Sequence, residues 1–438
     1  MGILLENAIL VDIDPPRVEA GGLRIDGGRI AERGKSVSSE MGDEVVDCAG
    51  AVVLPGLVNG HTHLYSALAT GMPPPPKPPR EFREILELVW WRLDRALDAE
   101  SIEMSARIGA LDALRCGTTT LIDHHASPNS IDGSLDLIER ALAGVGLRGV
   151  LCYETTDRHG PDGREAGLEE NRRYLEKHYD RPSNQFAGLV GAHASFTLED
   201  ETLGQLAGLA ADFGTGVHMH VSEDLCDEED CQTRHQLFLI DRLANARLLV
   251  PESVFAHCTH LDAESVARVS QAGLRVAHNP RSNMNNAVGY APLASFRCPV
   301  MLGTDGIGSD MFTEVKCAWL IARHEHAGVT PNGVLGMLAH AARRASAALD
   351  IPLGKLDPDA AADIVITDYR PSTPLTSANV AGHFLSAMGP QHVRSVVAGG
   401  KWALHERVVQ ACDEGETRSA AQDVAPGLWE RMAAFPAN

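Results

Sequence analysis

A short β-rich apolar run closing on a glycine or histidine, followed by a longer stretch of helical spacing, recurs eight times between residues 52 and 306. The runs are 52–58, GTTTLID (117–123), LRGVLCYET (147–155), FAGLVGAHAS (186–195), GTGVHMHVSE (214–223), SVFAHCT (253–259), LRVAHNP (274–280) and PVMLGTDG (299–306). Segments such as SIEMSARIGALDALRCG (101–117) and DETLGQLAGLAADFG (from Asp200) fill the intervals, with apolar residues three and four apart. Strands that alternate with helices lie parallel, because a parallel return needs a crossover. Eight such units predict an α/β chain folded as a (β/α)8 TIM-like barrel. An open doubly wound sheet is the rival, but no G-x-G-x-x-G turn follows the first strand.

The two ends have a different texture. ILLENAILVD, GGLRIDGGRIAERG and DEVVDCAGAVVLP alternate over the first fifty residues, and AADIVITDY (361–369) and VRSVVAGGKWALHERVV (393–409) resemble them. This predicts a small β-sandwich built from both termini, residues 1–55 plus 355–438, flanking a barrel of residues 56–354.

With 44% hydrophobic residues, the 438-residue chain can bury an ordinary globular core. A formal charge of −21 argues against a nucleic-acid partner. No run of eighteen apolar residues suggests a membrane span, and MGILLENAILVDID acquires acids too early for a signal peptide, so a cytoplasmic location is expected. Nine scattered cysteines suit reduced thiols, and the acidic CDEEDC (226–231) reads as a solvated loop.

In such a barrel the C-terminal strand ends converge on one mouth. The polar residues there are His61 and His63, His193, His220 with Glu223, His257, His278 and Asp305. His61 and His63 project from one face of a strand. A catalytic zinc or iron wants three or four nitrogen or oxygen ligands and an open position, and His61, His63, His220 and Asp305 supply such a set. His124 and His125 end strand 2 and read as structural, while His278 would orient the strand-7 loop.

The stretches PGLVNGHTH (55–63), HVSED (220–224), AHCTHLD (256–262), HNPRSN (278–283) and LGTDG (302–306) resemble, in order and spacing, the amidohydrolase superfamily. The resemblance is to its single-metal, cytosine-deaminase-like branch. GMPPPPKPPREF, SNMNNAVG and GTDGIGSDMF look most like the chlorohydrolase and SsnA-type aminohydrolases. It implies metal ligation by His61, His63, His220 and Asp305, with His257 beside the metal water as ligand or hydrogen-bond partner. His218 is the alternative to His220, but only His220 has Glu223 three residues on; His260 is the alternative to His257, but it lies past the apolar run. His193 matches a substrate-binding position, and Trp90 and Asn283 are expected to join it. Trp90 and Trp91 follow the proline run 73–79, where they cap the barrel mouth or form an oligomer interface. No lysine occurs in AGLVGAHASFTLED to bridge two metals, so one is expected: Zn2+, with Fe2+ the alternative.

The expected chemistry is hydrolysis. A divalent metal lowers the pKa of its water, Asp305 takes the proton, Glu223 protonates the developing nitrogen and His257 orients the attacking oxygen. The leading reading is an aminohydrolase (deaminase) releasing ammonia from the exocyclic amine of a purine- or pterin-type heterocycle. The alternative is a cyclic amidohydrolase that opens a ring C–N bond of an oxidised purine. A non-catalytic scaffold is disfavoured, since none of the implied ligands is missing. SNMNNAVG departs from the SNMKL of adenosine-derivative and triazine aminohydrolases, which turns the reading away from adenosine-type substrates. The family resemblance also implies a homodimer or higher homo-oligomer.

Overall fold

The computed structural model describes residues 2–180 and 183–436; the first and the last two residues of the expected end domain, and residues 181–182 of the expected barrel, lie outside these. Five strands come first: β1 (Ile3–Ile13), β2 (Pro16–Asp26), β3 (Arg29–Gly34), β4 (Glu44–Asp47) and β5 (Val52–Pro55). The middle of the chain carries β6 (Leu57–Thr62), β7 (Thr118–His125), β8 (Arg148–Tyr153), β9 (Phe186–Gly188), β10 (Val190–Ala194), β11 (Val217–Val221), β12 (Val254–His257), β13 (Arg275–His278) and β14 (Val300–Leu302). The last four are β15 (Ile364–Thr367), β16 (Val393–Ala398), β17 (Lys401–His405) and β18 (Val408–Val409).

The middle strands form two parallel sheets, β6-β7-β8-β9 and β10-β11-β12-β13-β14. A single residue, Leu189, separates β9 from β10, so the run expected as one strand turns from one sheet into the other. Isolated bridges join the sheets at both seams, Thr155 to Ala192 and Thr62 to Asp305. Inside lie Val58, Ile122, Val150, Ala256 and Met301, packed against Ala341, Ala342 and Ala345 of the helix Pro331–Leu349. Crossover helices cover the outside, as parallel strands require. The helix Ala99–Arg115 starts where Asp98 accepts from the Ser101 backbone and Ser101 returns a bond to the Asp98 backbone, a reciprocal cap.

The terminal strands are hydrogen-bonded into one nine-stranded sheet, where two facing sheets were expected. The reason is the length of β1. Its first half pairs with β4, the chain bulges between Leu5 and Ala8, and its second half pairs with β5. Pairing of β5 with β15 then joins the two chain ends. The run 52–58 divides at Gly56, with β5 in the terminal sheet and β6 in the parallel one. A Cβ at Gly56 would lie 2.3 Å from Thr119 Oγ1, so only glycine fits that crossing.

Two local expectations are corrected. The helix Glu414–Ala434 leaves the terminal sheet and packs along the other body: Trp429 Nε1 donates to the Leu68 carbonyl at 2.9 Å and Arg418 pairs with Asp112 at 2.7 Å. The CDEEDC stretch is no solvated loop but part of the helix Leu225–His235, capped by Asp224, with Asp227 and Cys231 buried. Acids in a first turn favour the helix N-terminus, a signal that outweighs their polarity. All nine cysteines are free. Among the described residues, no helix is long and apolar enough to cross a membrane.

Candidate active site

The strand ends deliver four side chains to one point. His61 and His63 come from β6, His220 from β11 and Asp305 from just past β14, with their ligand atoms all within 4.8 Å of one another. His63 Nε2 lies 3.1 Å from His220 Nε2 and 2.9 Å from Asp305 Oδ1, and His61 Nε2 lies 3.4 Å from the same oxygen. Each ring is aimed by its other nitrogen. His63 Nδ1 donates to the His124 carbonyl at 2.6 Å, His220 Nδ1 donates to the His193 carbonyl at 3.1 Å, and His61 Nδ1 sits 2.8 Å from His218 Nε2. His61 Nε2 is buried without a hydrogen-bond partner. Three imidazole nitrogens and a carboxylate, converging and with one nitrogen orphaned, fit a divalent metal.

Backbone strain marks the same strand ends. His257 and Asp305 adopt left-handed conformations, with φ of 71° and 54°. Asp305 is further held by the Ser282 hydroxyl, which donates to Oδ2. Gly303 allows β14 to approach β6, since a Cβ there would lie 2.7 Å from His61 Cβ.

His257 is fully buried; its Nδ1 donates to Asn283 Oδ1 at 2.8 Å and its Nε2 lies 3.5 Å from Glu223 Oε2. His260 points elsewhere, to the Val288 carbonyl at 2.6 Å. Glu223 accepts from Asn286 Nδ2 at 3.3 Å. Burial, and then the charge of Asp305, push the Glu223 carboxyl well above its ordinary range. Burial alone would raise Asp305 too, but the His61 and His63 rings aimed at it hold it well below the usual carboxylate range.

The cavity over these groups has a second wall. The chain at Phe82–Ala96 runs from a helical turn through a wider i→i+5 turn at Leu86–Trp90 into a short helix, a widening common at functional sites. It brings Trp90 and Trp91 to the cavity, where Trp91 faces His193 and Phe196. His193 also lines the cavity, its Nδ1 2.7 Å from Thr197 Oγ1.

Asn283 corrects the sequence reading: it lies behind His257 rather than on the cavity wall, because its side chain is turned toward the His257 ring. His278 does not orient its loop through the ring, since neither ring nitrogen has a partner. His124 lies beneath the centre, its Nε2 donating to the His218 carbonyl at 3.1 Å, while His125 faces Ser127.

Sequence reasoning overlooked Glu154, Asp94 and Arg158. Glu154, just past β8, reaches His124 Nδ1 at 3.3 Å, His193 Nε2 at 3.6 Å and Arg158 at 3.6 Å. Arg158 also reaches Asp94 at 3.3 Å and lies 4.5 Å over the Trp91 ring. The signal for Glu154 was present, as an acid ending the run LRGVLCYET; Asp94 and Arg158 lie in no such pattern.

With this geometry, comparison with known proteins is informative. A 5'-deoxyadenosine deaminase of Methanosarcina mazei is 28% identical over 98% of this chain and 99% of its own length. A 5-methylthioadenosine/S-adenosylhomocysteine deaminase of Syntrophomonas wolfei is 27% identical over 98% and 99%. Among solved structures, an adenosine deaminase from Xanthomonas campestris with bound zinc superposes with a TM-score of 0.85 at 21% identity, covering 99% of both chains. An atrazine chlorohydrolase from Arthrobacter aurescens complexed with zinc gives 0.82 at 20% identity, over 97% of this chain and all of its own. These structures share the fold. The amidohydrolase family model matches residues 52–403, and the chain belongs to that family.

Proposed function

We propose that this protein is a metal-dependent deaminase that hydrolyses the exocyclic amino group of an adenine-type N-heterocycle to a carbonyl and ammonia. One observation carries the reading: Glu223, its carboxyl raised by burial, stands beside His257 and Asp305 at the edge of a three-histidine, one-aspartate cluster. The deaminase relatives support the adenine-type amine, and they outweigh the departure of SNMNNAVG from the adenosine-type pattern. We read the two parallel sheets as one barrel closed at its two seams, and the metal as a single zinc, with iron the alternative. A cytoplasmic setting fits nine free cysteines.

His61, His63, His220 and Asp305 would hold a divalent ion, which would supply a water of lowered pKa for the attack. Asp305, its Oδ2 held by Ser282, is placed to accept that proton. His257, fixed by Asn283, orients the attacking oxygen through Nε2. Glu223 donates its proton to the ring nitrogen next to the attacked carbon as charge develops there; Asp305 hands the proton taken from water to the departing amine, and the new hydroxyl returns its proton to Glu223 as the carbonyl forms. Trp90 and Trp91 offer flat faces to a heterocycle, and the Trp91 Nε1 hydrogen has no protein partner.

The test is ammonia release by zinc-loaded protein from 5'-deoxyadenosine, adenosine, guanine and a pterin. Ammonia from one of them, lost in Glu223→Gln with the metal retained, is expected. Loss of ring absorbance without ammonia would replace the deaminase by the ring-opening hydrolase.

A further inference from the structure

The cavity lining is unusual in its charge. Six carboxylates line it, Asp94, Glu154, Glu223, Asp224, Asp227 and Asp305, and among the described residues no lysine or arginine does. Asp305 is assigned to the metal cluster and Glu223 to proton transfer, and Glu154 sits at the edge of that cluster with His63, His124 and His220, so Asp94, Asp224 and Asp227 are left without a role in the reaction. Glu154, Asp94 and Asp227 are 4%, 2% and 3% exposed, and Asp94 Oδ1 and Asp227 Oδ1 have no hydrogen-bond partner. Arg158, the nearest cation to this wall, is already bracketed by Asp94 and Glu154.

We propose that this lining selects the substrate by charge: the part of the heterocycle remote from the metal carries hydrogen-bond donors or a cationic amine, and a phosphate or carboxylate substituent is excluded. The inference rests on the deaminase reading for the heterocycle but not for the selection itself. An anionic substituent entering here would be desolvated among acids with no cation to pair with, a heavy cost in a closed site. An amine would be drawn in by the same groups and would satisfy their open acceptor positions. Burial pushes Asp94 and Asp227 up to about 7, so each lacks a partner for its charged form, and a cation arriving beside them would favour that form. The net charge of −21 adds attraction for cations at longer range. Glu154 and Asp94 are the specificity-determining residues, because they also neutralise Arg158.

The experiment is calorimetric titration of zinc-loaded protein with three ligands that share one ring system: adenosine, 5'-amino-5'-deoxyadenosine and adenosine 5'-monophosphate. The amine is expected to bind at least as tightly as adenosine, and the phosphate about tenfold or more weakly than either. Raising salt from 50 to 500 mM should narrow that spread. In Asp94→Asn/Glu154→Gln, Arg158 is released and the phosphate penalty should shrink at least threefold. Equal affinities, a preference for the phosphate, a salt-independent spread or binding of none of the three overturns the proposal. Ammonia is assayed separately: discrimination without ammonia would overturn the deaminase reading and leave the selection standing.

Discussion

Two aspartates, Asp94 buried and Asp305 partly buried, line the same cavity and are shifted in opposite directions. Asp305, on the metal wall, is held low because His61 and His63 point at it. Asp94, on the opposite wall, is pushed up to about 7 because burial outweighs its contact with Arg158. The difference follows from how each wall is built. The metal wall is made of the parallel strand ends of β6, β11 and β14, each fixed within its sheet by backbone hydrogen bonds and all opening at one end, so its donors converge closely. The opposite wall is made of a segment between strands, packed through Phe82, Leu86, Trp90 and Trp91, and its polar groups are left partly unpaired. One wall is arranged to hold a charge, and the other to receive one.

The largest effect should come from breaking the metal wall. Asp305→Asn is expected to lower kcat by about 10⁴-fold or more, since it removes a ligand and the proton acceptor together. Elemental analysis should find less metal in it; full metal with near-normal turnover would refute its assignment to both roles. Glu223→Gln should lower kcat by about 10³-fold while the metal stays bound, which separates proton delivery from ligation.

On the opposite wall the sharper test is pH. The folded-state pKa of Asp94, about 7, lies above its ordinary 3.8. The folded protein therefore binds the extra proton, and the stability it contributes is complete below about pH 4 and is lost as pH rises through 7. Urea unfolding of Asp94→Asn against the parent chain should show this loss absent from the variant, a difference of about 3 kcal/mol between pH 5 and pH 8. Parallel curves would mean that Arg158 compensates Asp94 fully. The smallest effect is expected for Asn283→Ala, which leaves His257 in place but unheld. A decrease in kcat of about tenfold, with KM little changed and partial rescue by Asn283→Asp, would mark a positioning residue.

The metal wall was legible because strand ends carry a pattern. Period-two alternation puts His61 with His63, and His218 with His220, on shared faces, and the parallel-sheet reading sends the C-terminal member of each pair toward the mouth. His218 shows the limit of that logic. It points the same way as His220 but lies deeper, 2.8 Å behind His61, where it aims that ring. Periodicity gives a face, and depth along the strand decides between ligand and support.

By itself the sequence determined the alternation of parallel strands and helices and the pairing of the chain ends, and it pointed to His61, His63, His220 and Asp305 as residues that meet. All of these follow from local periodicity and from residues at element boundaries. Tertiary structure alone decided that the terminal strands join one sheet, that the helix Glu414–Ala434 packs on the other body, and that Asn283 turns to His257. It also decided that Asp94, Glu154 and Arg158 meet at one wall, although 64 residues separate Asp94 from Arg158. The physical reason is common to these cases. They depend on which surfaces come together after the strands have paired, and no repeat within a segment records the identity of its distant neighbour.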